Sequence, residues 1–300
     1  MAQRRGHAAP AGLPRGRRAL GFVRILVTGS TGLLGPYLVR AAAAVGDPVG
    51  LARRGGDVDC DLGDAASVAA VIRKVRPELV VHAAALTSVD RCETEPDAAD
   101  RANRLATLNL AEALPRDTAL VYVSTDQVYP DVPGEKREGE EGPVNVYGAS
   151  KLAGERIVVA RSNGLALRCN LFGPSLSAGR QSLSDWIIAS ARAGEPMMLF
   201  KDVFFSPLHM ATLSRLAFAA ATAGLAGIYN LGCRAGASKS EFARMVASRL
   251  GLSLATAVEG VSTNVPGRAA RPRDLRLDVT RVETALGCTL PTLADEVAKL

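Results

Sequence analysis

Aromatic residues are scarce in this 300-residue sequence, at 4%, so its core has to be built from Ala, Val, Leu and Ile. Cysteine is sparse too. Cys60, Cys92, Cys169, Cys233 and Cys288 are an odd, scattered set with no C-x-x-C pair. That leaves a zinc site and a disulfide framework without support and suits the reduced thiols of a cytoplasmic protein. No stretch approaches the roughly 18 consecutive apolar residues of a membrane-spanning helix, so no membrane partner is expected. Acidic residues are missing from positions 1–23, which carry Arg4, Arg5, Arg15, Arg17 and Arg18. Much of the net charge of +6 is therefore local, and the remainder of the chain is nearly balanced. With no basic stripe interleaved with aromatics, nucleic-acid binding is not expected. The same 23 residues lack an apolar h-region and Ser, and read as a disordered basic extension.

What is present is a regular alternation. Short apolar runs at Arg24–Thr28, Pro48–Ala52, Leu79–Ala83, Ala119–Ser124 and Leu165–Cys169 read as strands. Helical spacing separates them after Gly35, at Ser67–Val75, at Asp97–Leu114 and at Tyr147–Ala160. Continuous apolar strands that alternate with helices predict an α/β fold, a Rossmann-type doubly wound parallel sheet buried on both faces. The alternation breaks near Phe172-Gly173-Pro174. The expected division is 24–173 for a dinucleotide-binding domain, with 203–232 returning to it, and 174–202 plus 233–300 for a small C-terminal substrate-binding lobe.

Thr28-Gly29-Ser30-Thr31-Gly32-Leu33-Leu34-Gly35 reads T-G-x-x-G-x-x-G between a strand and a helix. Gly29 permits the tight turn, Gly32 lets backbone approach a pyrophosphate, and Gly35 allows close helix–strand packing. The N–H groups through Thr31, Leu33 and Leu34 then face the phosphates at the positive end of the helix. The second strand runs into Arg53-Arg54. An acidic residue there would hold a ribose 2′-hydroxyl, whereas arginine accommodates a 2′-phosphate, so NADP(H) is expected and NAD(H) stays open. Asp61 and Leu62 are placed to meet the adenine.

Tyr147 and Lys151 form Y-x-x-x-K on a helix, where i and i+4 share a face. A lysine in that position can lower a tyrosine pKa from about 10 and ready it for proton transfer to a carbonyl. Ser124-Thr125-Asp126-Gln127-Val128-Tyr129 ends the preceding strand, at the ligand-bearing edge of an open α/β sheet. His82 and His209 have no ligand partners nearby and read as structural. Asp90, Glu93 and Glu95 read as a solvated helix turn, so no metal is expected.

With H-A-A-A-x-T-x-V-D from His82, N-V-Y-G-x-S-K-L-A-G-E from Asn145 and R-P-R-D-x-x-L-D from Arg271, the sequence resembles the extended short-chain dehydrogenase/reductase family. Within it, the chain looks similar to the dTDP-4-dehydrorhamnose reductase group from Arg24 to the C-terminus. The resemblance implies Thr125 as the hydroxyl that binds a substrate carbonyl and Tyr147 as proton donor. It implies Lys151 as support for phenolate and nicotinamide ribose, and Ala83, Ala84 and Ala85 along the cofactor. It sets Thr87, Asp126, Asn170 and Arg271 toward a nucleotide-sugar substrate, with Asn103 orienting a relay water. The activity so implied is NADPH-dependent reduction of a keto group at C4 of a nucleotide-activated deoxysugar. Two alternatives stay open: an NAD-dependent sugar-nucleotide epimerase or dehydratase, and a non-catalytic NADP-binding regulatory subunit. Gln127 stands where family dehydratases carry a glutamate, and an amide cannot serve as a base. A homodimer is kept open as a partner. Trp186 is expected to pack in the lobe or to wall the sugar site.

Overall fold

The computed structural model describes residues 24–262 and 267–300; the extension expected over 1–23 lies outside the described residues. The first half runs β1 (Arg24–Thr28), α1 (Gly35–Ala42), β2 (Asp47–Ala52), β3 (Val58–Asp59), α2 (Ala65–Val75), β4 (Leu79–His82), α3 (Val89–Thr94), α4 (Pro96–Ala99), α5 (Ala106–Ala113), β5 (Ala119–Val123), α6 (Val146–Val159) and β6 (Gly164–Cys169). Then follow β7 (Leu171–Phe172), α7 (Leu183–Ala193), β8 (Met197–Phe200), β9 (Phe204–Phe205), β10 (Leu208–His209), α8 (Met210–Thr222), β11 (Gly227–Leu231), β12 (Ala237–Ser238), α9 (Lys239–Leu250), β13 (Ala257–Gly260), β14 (Asp274–Leu275), α10 (Thr280–Leu286) and α11 (Leu293–Val297).

Seven strands form one parallel sheet in the order β11-β6-β5-β4-β1-β2-β3. The chain winds one way from β1 to β3 and the other way from β4 onward. The crevice between β1 and β4 is thus the topological switch point, where such sheets bind ligands beyond the carboxyl ends of their strands. The apolar runs explain why both faces are covered. Ile25, Val27, Val81, Val121 and Leu167 point into one core, while Leu26, Val80, Leu120 and Ala166 point into the other. Burying each larger side chain of this kind is worth about 1.5–3 kcal/mol.

Two elements differ from the sequence expectation. The helix expected over Asp97–Leu114 is interrupted by a π-helical stretch at Asp100–Leu105, between α4 and α5. There Asn103 turns inward and is buried, with bonds described below. The segment around Ile228, irregular by pattern, is the seventh strand, β11, in parallel register with β6 from Gly227↔Leu165 to Leu231↔Cys169. It is an edge strand with its first half partly exposed, which erases the apolar run. Arg281 stacks on Tyr229 there, 4.7 Å from the ring centre.

The remaining strands are short and make small sheets, β12-β9-β14, β13-β8 and β10-β7, carried by helices with strong N-terminal signals. Ser182, Ser238 and Thr292 each close a capping box with the acidic residue three positions on, at the starts of α7, α9 and α11. α8 lies against α1 and leads straight into β11.

Candidate active site

The glycine turn is shaped by close backbone approach. Gly29 has φ +71°, and a Cβ on it would stand 2.8 Å from the Ala84 nitrogen. A Cβ on Gly35 would run into the carbonyls of Gly29 and Ser30. The Gly32 N–H closes the turn on the Gly29 carbonyl at 2.8 Å. Thr31 is exposed, Leu33 half-buried and Leu34 buried at the N-cap of α1. The Ser30 hydroxyl is buried in this turn without a partner. From the segment between β7 and α7, Ser177 Oγ donates to the Gly32 carbonyl at 2.8 Å, and the Pro174 carbonyl accepts from Tyr37 at 2.8 Å.

Arg53 and Arg54 follow β2 at the same sheet edge, both exposed. Asp61 is exposed and ion-paired with Arg101 at 2.8 Å, while the Leu62 side chain is buried in the core below the sheet. Any contact from Leu62 to a bound group would therefore come from its main chain, and its carbonyl already accepts from Asn109 at 2.9 Å. Ala83, Ala84 and Ala85 leave β4 directly beside the turn, with the Ala84 N–H donating to Thr28 Oγ1 at 3.2 Å. Thr87 is exposed just beyond. His82 is a framework residue, between Thr28 at 2.7 Å and Thr107 at 3.1 Å, and burial pulls its pKa down to about 3.

The reacting side is made of side chains. Thr125 caps the turn Asp126–Val128, accepting the Gln127 N–H at 3.2 Å and donating to Asp126 at 3.2 Å. Asn145 caps α6 by accepting the Gly148 N–H at 2.8 Å. Gly148 lies so close to the Gln127 carbonyl that no Cβ fits. This brings the Tyr147 phenol to the Thr125 hydroxyl, which opposes the rise in its pKa. Lys151 donates to the Val123 carbonyl at 2.8 Å and lies over the Tyr122 ring at 3.9 Å.

The sign of the tyrosine shift corrects the sequence expectation. Burial pushes the Tyr147 pKa well above its ordinary value and outweighs the hydrogen bond from Thr125 that lowers it. The ammonium is engaged with the Val123 carbonyl, and burial brings it down to about 8. Tyr147 is therefore a neutral phenol here, the state from which a proton is given.

Beneath the pair, Arg168 is fully buried and fork-bonded to Glu155 at 2.7–3.1 Å. Its other arm reaches Tyr129 Oη at 3.0 Å and the Glu138 carbonyl at 2.8 Å. Ser124 also donates to Glu155. Glu155 lies one helical turn beyond Lys151, so this ion pair pins α6 to β6. On the opposite flank, Asn103 holds Leu86 by both main-chain groups, at 2.8 and 3.0 Å, and donates to Ser150 at 2.9 Å.

Asn170 donates to Asp126 at 2.6 Å, and burial pushes the Asp126 pKa up to about 6. Arg271 lies in the segment that leads into β14. It pairs with Asp90 at 2.8 Å, while the Ala270 carbonyl accepts from Asn145 at 2.9 Å. Asp90 is held down at about 2 by that arginine. Glu93 accepts the Val146 N–H and Glu95 pairs with Arg91. Among the described residues no group of side chains is arranged to hold a metal. Trp186 is partly exposed on the first turn of α7.

Strands β1, β2, β4, β5 and β6 thus all deliver candidate residues to one edge of one sheet, and the whole of that frame is matched by a family model, RmlD substrate binding domain, over residues 23–300. The chain belongs to that family. It is 30% identical over 290 residues to the dTDP-4-dehydrorhamnose reductase of Salmonella typhimurium, covering 90% of this chain and 94% of that one. The crystal structure of dTDP-4-dehydrorhamnose reductase from Bacillus anthracis in complex with NADP superposes with a TM-score of 0.85 at 25% identity, covering 93% of this chain and 98% of that one. The UDP-glucose 4-epimerase of Thermus thermophilus in complex with NAD gives 0.75 at 25% identity, over 91% and 97%. Among the described residues no helix is long and apolar enough to cross a membrane.

Several contributors escaped the sequence reading. Ser150 sits inside Y-x-x-x-K and the Asn145 cap directly before it, so both were within sight of the motif.

Proposed function

We propose that this protein reduces the C4 keto group of a nucleotide-activated deoxysugar at the expense of NADPH. The observation that carries this reading is that Thr125, at the end of β5, and Tyr147 and Lys151, in the first turns of α6, stand at the edge of the sheet that also carries the glycine turn after β1, with Lys151 tied to the Val123 carbonyl of β5. The residues present fit a dinucleotide. The turn admits no Cβ at Gly29 or Gly35, and it leaves the buried Ser30 hydroxyl unpartnered. The N–H groups of Thr31, Leu33 and Leu34 would hold the pyrophosphate, and Arg53 and Arg54 the 2′-phosphate. Asp61 and the Leu62 main chain would border the adenine, and Ala83 to Ala85 would line the ring system.

When bound, NADPH supplies the hydride. Thr125 donates a hydrogen bond to the substrate carbonyl oxygen, which orients it and favours the charge that develops there. Tyr147 transfers its proton to that oxygen; a sugar alkoxide is a far stronger base than a phenolate. Lys151 then steadies the phenolate and holds the nicotinamide ribose. Thr87, Asp126 and Asn170 border the sugar. Arg271 exchanges Asp90 for the substrate diphosphate. The cofactor half comprises 24–173 with α8 and β11, and the remainder serves the substrate. We place the protein in the cytoplasm and keep a homodimer open.

Gln127 accepts a hydrogen bond from Asn145 at 3.2 Å and cannot abstract a proton, which disfavours dehydration. The test is NADPH oxidation against a panel of nucleotide 4-keto sugars, with product identification. Stoichiometric oxidation with a 4-hydroxy product is expected; no oxidation with any member would overturn the reading.

A further inference from the structure

Lys151 is a charge in an unusual setting. It is 2% exposed. Among the described residues no carboxylate forms an ion pair with it, since Glu155, one helical turn on, is taken up by Arg168 and Ser124. An ammonium has three N–H donors, and the Val123 carbonyl accepts one of them at 2.8 Å. What lies beneath the rest is an aromatic face, with the nitrogen 3.9 Å from the centre of the Tyr122 ring. That is well inside the reach of about 6 Å over which a ring quadrupole attracts a cation, and the attraction is strongest where water is excluded.

Tyr122 is fixed in turn. It is fully buried, in a chain with few aromatic residues, and its ring packs tilted against His82 at 5.5 Å between centres. His82 is held at both nitrogens, by Thr28 at 2.7 Å and Thr107 at 3.1 Å. Thr107 gives its own proton to the Asn103 carbonyl at 2.6 Å, so it accepts from His82 Nε2, and Nδ1 accepts from Thr28. The imidazole is thereby locked neutral and adds no second positive charge below Lys151. At the far end of the ring α6 passes over the phenol at Gly154, where a Cβ would run into the Tyr122 hydroxyl. The lysine and the glycine of K-L-A-G thus both meet this one side chain, the first at its face and the second at its tip.

We infer that Tyr122 is a positioning residue for the reaction, whose ring face seats the Lys151 ammonium, keeps it charged in a dry place, and leaves its remaining N–H for the cofactor ribose or the Tyr147 phenolate. It acts through Lys151, and the face of the ring does the work, since no hydrogen bond joins its hydroxyl to the ammonium. The inference rests on the reading that Lys151 serves NADPH. Without the ring the charged form is less favoured, so Lys151 gives up its proton at lower pH.

The test is the pH dependence of NADPH affinity, followed by fluorescence titration from pH 7 to 10 in the full chain and in Tyr122→Phe, Tyr122→Leu and Gly154→Ala. The groups around Lys151, itself at about 8, leave that window to it. His82 of β4 is down at about 3, Asp126 after β5 at about 6, and Cys169 of β6 up at about 12. Burial holds Tyr122, Tyr147 and Cys92 above their ordinary values, and Glu155 of α6 is ion-paired. Affinity should fall as Lys151 loses its proton. Tyr122→Phe keeps the ring face, so its midpoint should match that of the unmodified protein. Tyr122→Leu should move the midpoint down by about one pH unit, as for a lost cation–π contact away from water. Gly154→Ala, which displaces the ring and retains every titratable group, should move it the same way, and adding Tyr122→Phe should restore part of the shift. A role in packing alone predicts a lower melting temperature and weaker binding at every pH with the midpoint unmoved. That outcome, an equal shift in Tyr122→Phe, or a flat profile in the unmodified protein would overturn the inference. Should Tyr122→Leu not fold, Gly154→Ala with and without Tyr122→Phe decides it. Shifted binding with no turnover of any keto sugar would instead overturn the proposed reduction and leave this inference standing.

Discussion

The two sides of the cleft are built from different materials. On the cofactor side, the turn from Gly29 to Gly35 works through main-chain shape, since a Cβ at either end has no room. An ion pair on the same side, Asp61 with Arg101, is exposed, and such pairs are worth only about 0–1 kcal/mol. On the reacting side, Thr125, Asp126, Tyr147, Lys151 and Glu155 are buried and held by one another and by the sheet. The first side tolerates changes of charge but not of bulk. The second is sensitive above all to a lost partner, because a buried polar group left alone bears its full desolvation cost.

The sharpest way to separate the two sides is Tyr147→Phe. The substitution keeps the ring and removes the proton donor, so turnover should fall about 100- to 10,000-fold while NADPH binding persists. Absorbance assays and fluorescence titration check both halves; a variant with near-normal turnover would remove Tyr147 from the chemistry.

Arg168→Met tests the clamp below α6. It leaves Glu155 charged and enclosed, and breaking a buried pair in this way costs about 3–5 kcal/mol. A clear drop in melting temperature is expected, with much of it restored when Glu155→Leu is added. If the double variant is as unstable as the single one, the pair is not the clamp described here.

Asp126 gives the reacting side a signature in pH. Its pKa is raised from 3.8 to about 6, so the native state holds this proton more tightly than the unfolded chain. Between about pH 4 and pH 6 the unfolded state ionises first, and stability falls as pH rises, by at most about 3 kcal/mol from this group. In Asp126→Asn that decline should flatten in denaturant titrations; an unchanged profile would assign it elsewhere.

The smallest effect belongs to the cofactor side. Replacing Arg53 and Arg54 together with Ala should cost roughly 10-fold or more in NADPH affinity and nothing in NADH affinity, as for a lost charged hydrogen bond. Equal affinity for both cofactors in the unaltered protein would end the 2′-phosphate assignment.

The legibility of the sequence follows the same divide. The glycine turn, the buried strands and Y-x-x-x-K are local patterns, and each appears where its spacing placed it. The π-helical break around Asn103 was hidden because its cause, the hydrogen bonds to Leu86 and Ser150, lies far off in sequence. The pairing of Arg271 with Asp90 was equally invisible, since nothing in the composition of either segment announces the other. Two-residue strands such as β9 and β12 are too short to show a period. The direction of the Tyr147 shift depends on where the Lys151 ammonium points, which spacing alone does not decide.

The edge strand β11 has a consequence for how the protein is made. Asn230 accepts from the Tyr129 hydroxyl at 2.6 Å and donates to the carbonyls of Lys136 and Asp278 at 2.8 and 3.1 Å. Tyr129 is the residue that receives the far arm of Arg168. During translation the glycine turn and the end of β4 that abuts it both leave the ribosome early. The support under Tyr147 and Lys151 has to wait for residues synthesised long afterwards, and such distant contacts form slowly. A nascent chain therefore holds all of its nucleotide-binding turn before it holds the later residues that brace Tyr129 and Arg168 beneath Lys151.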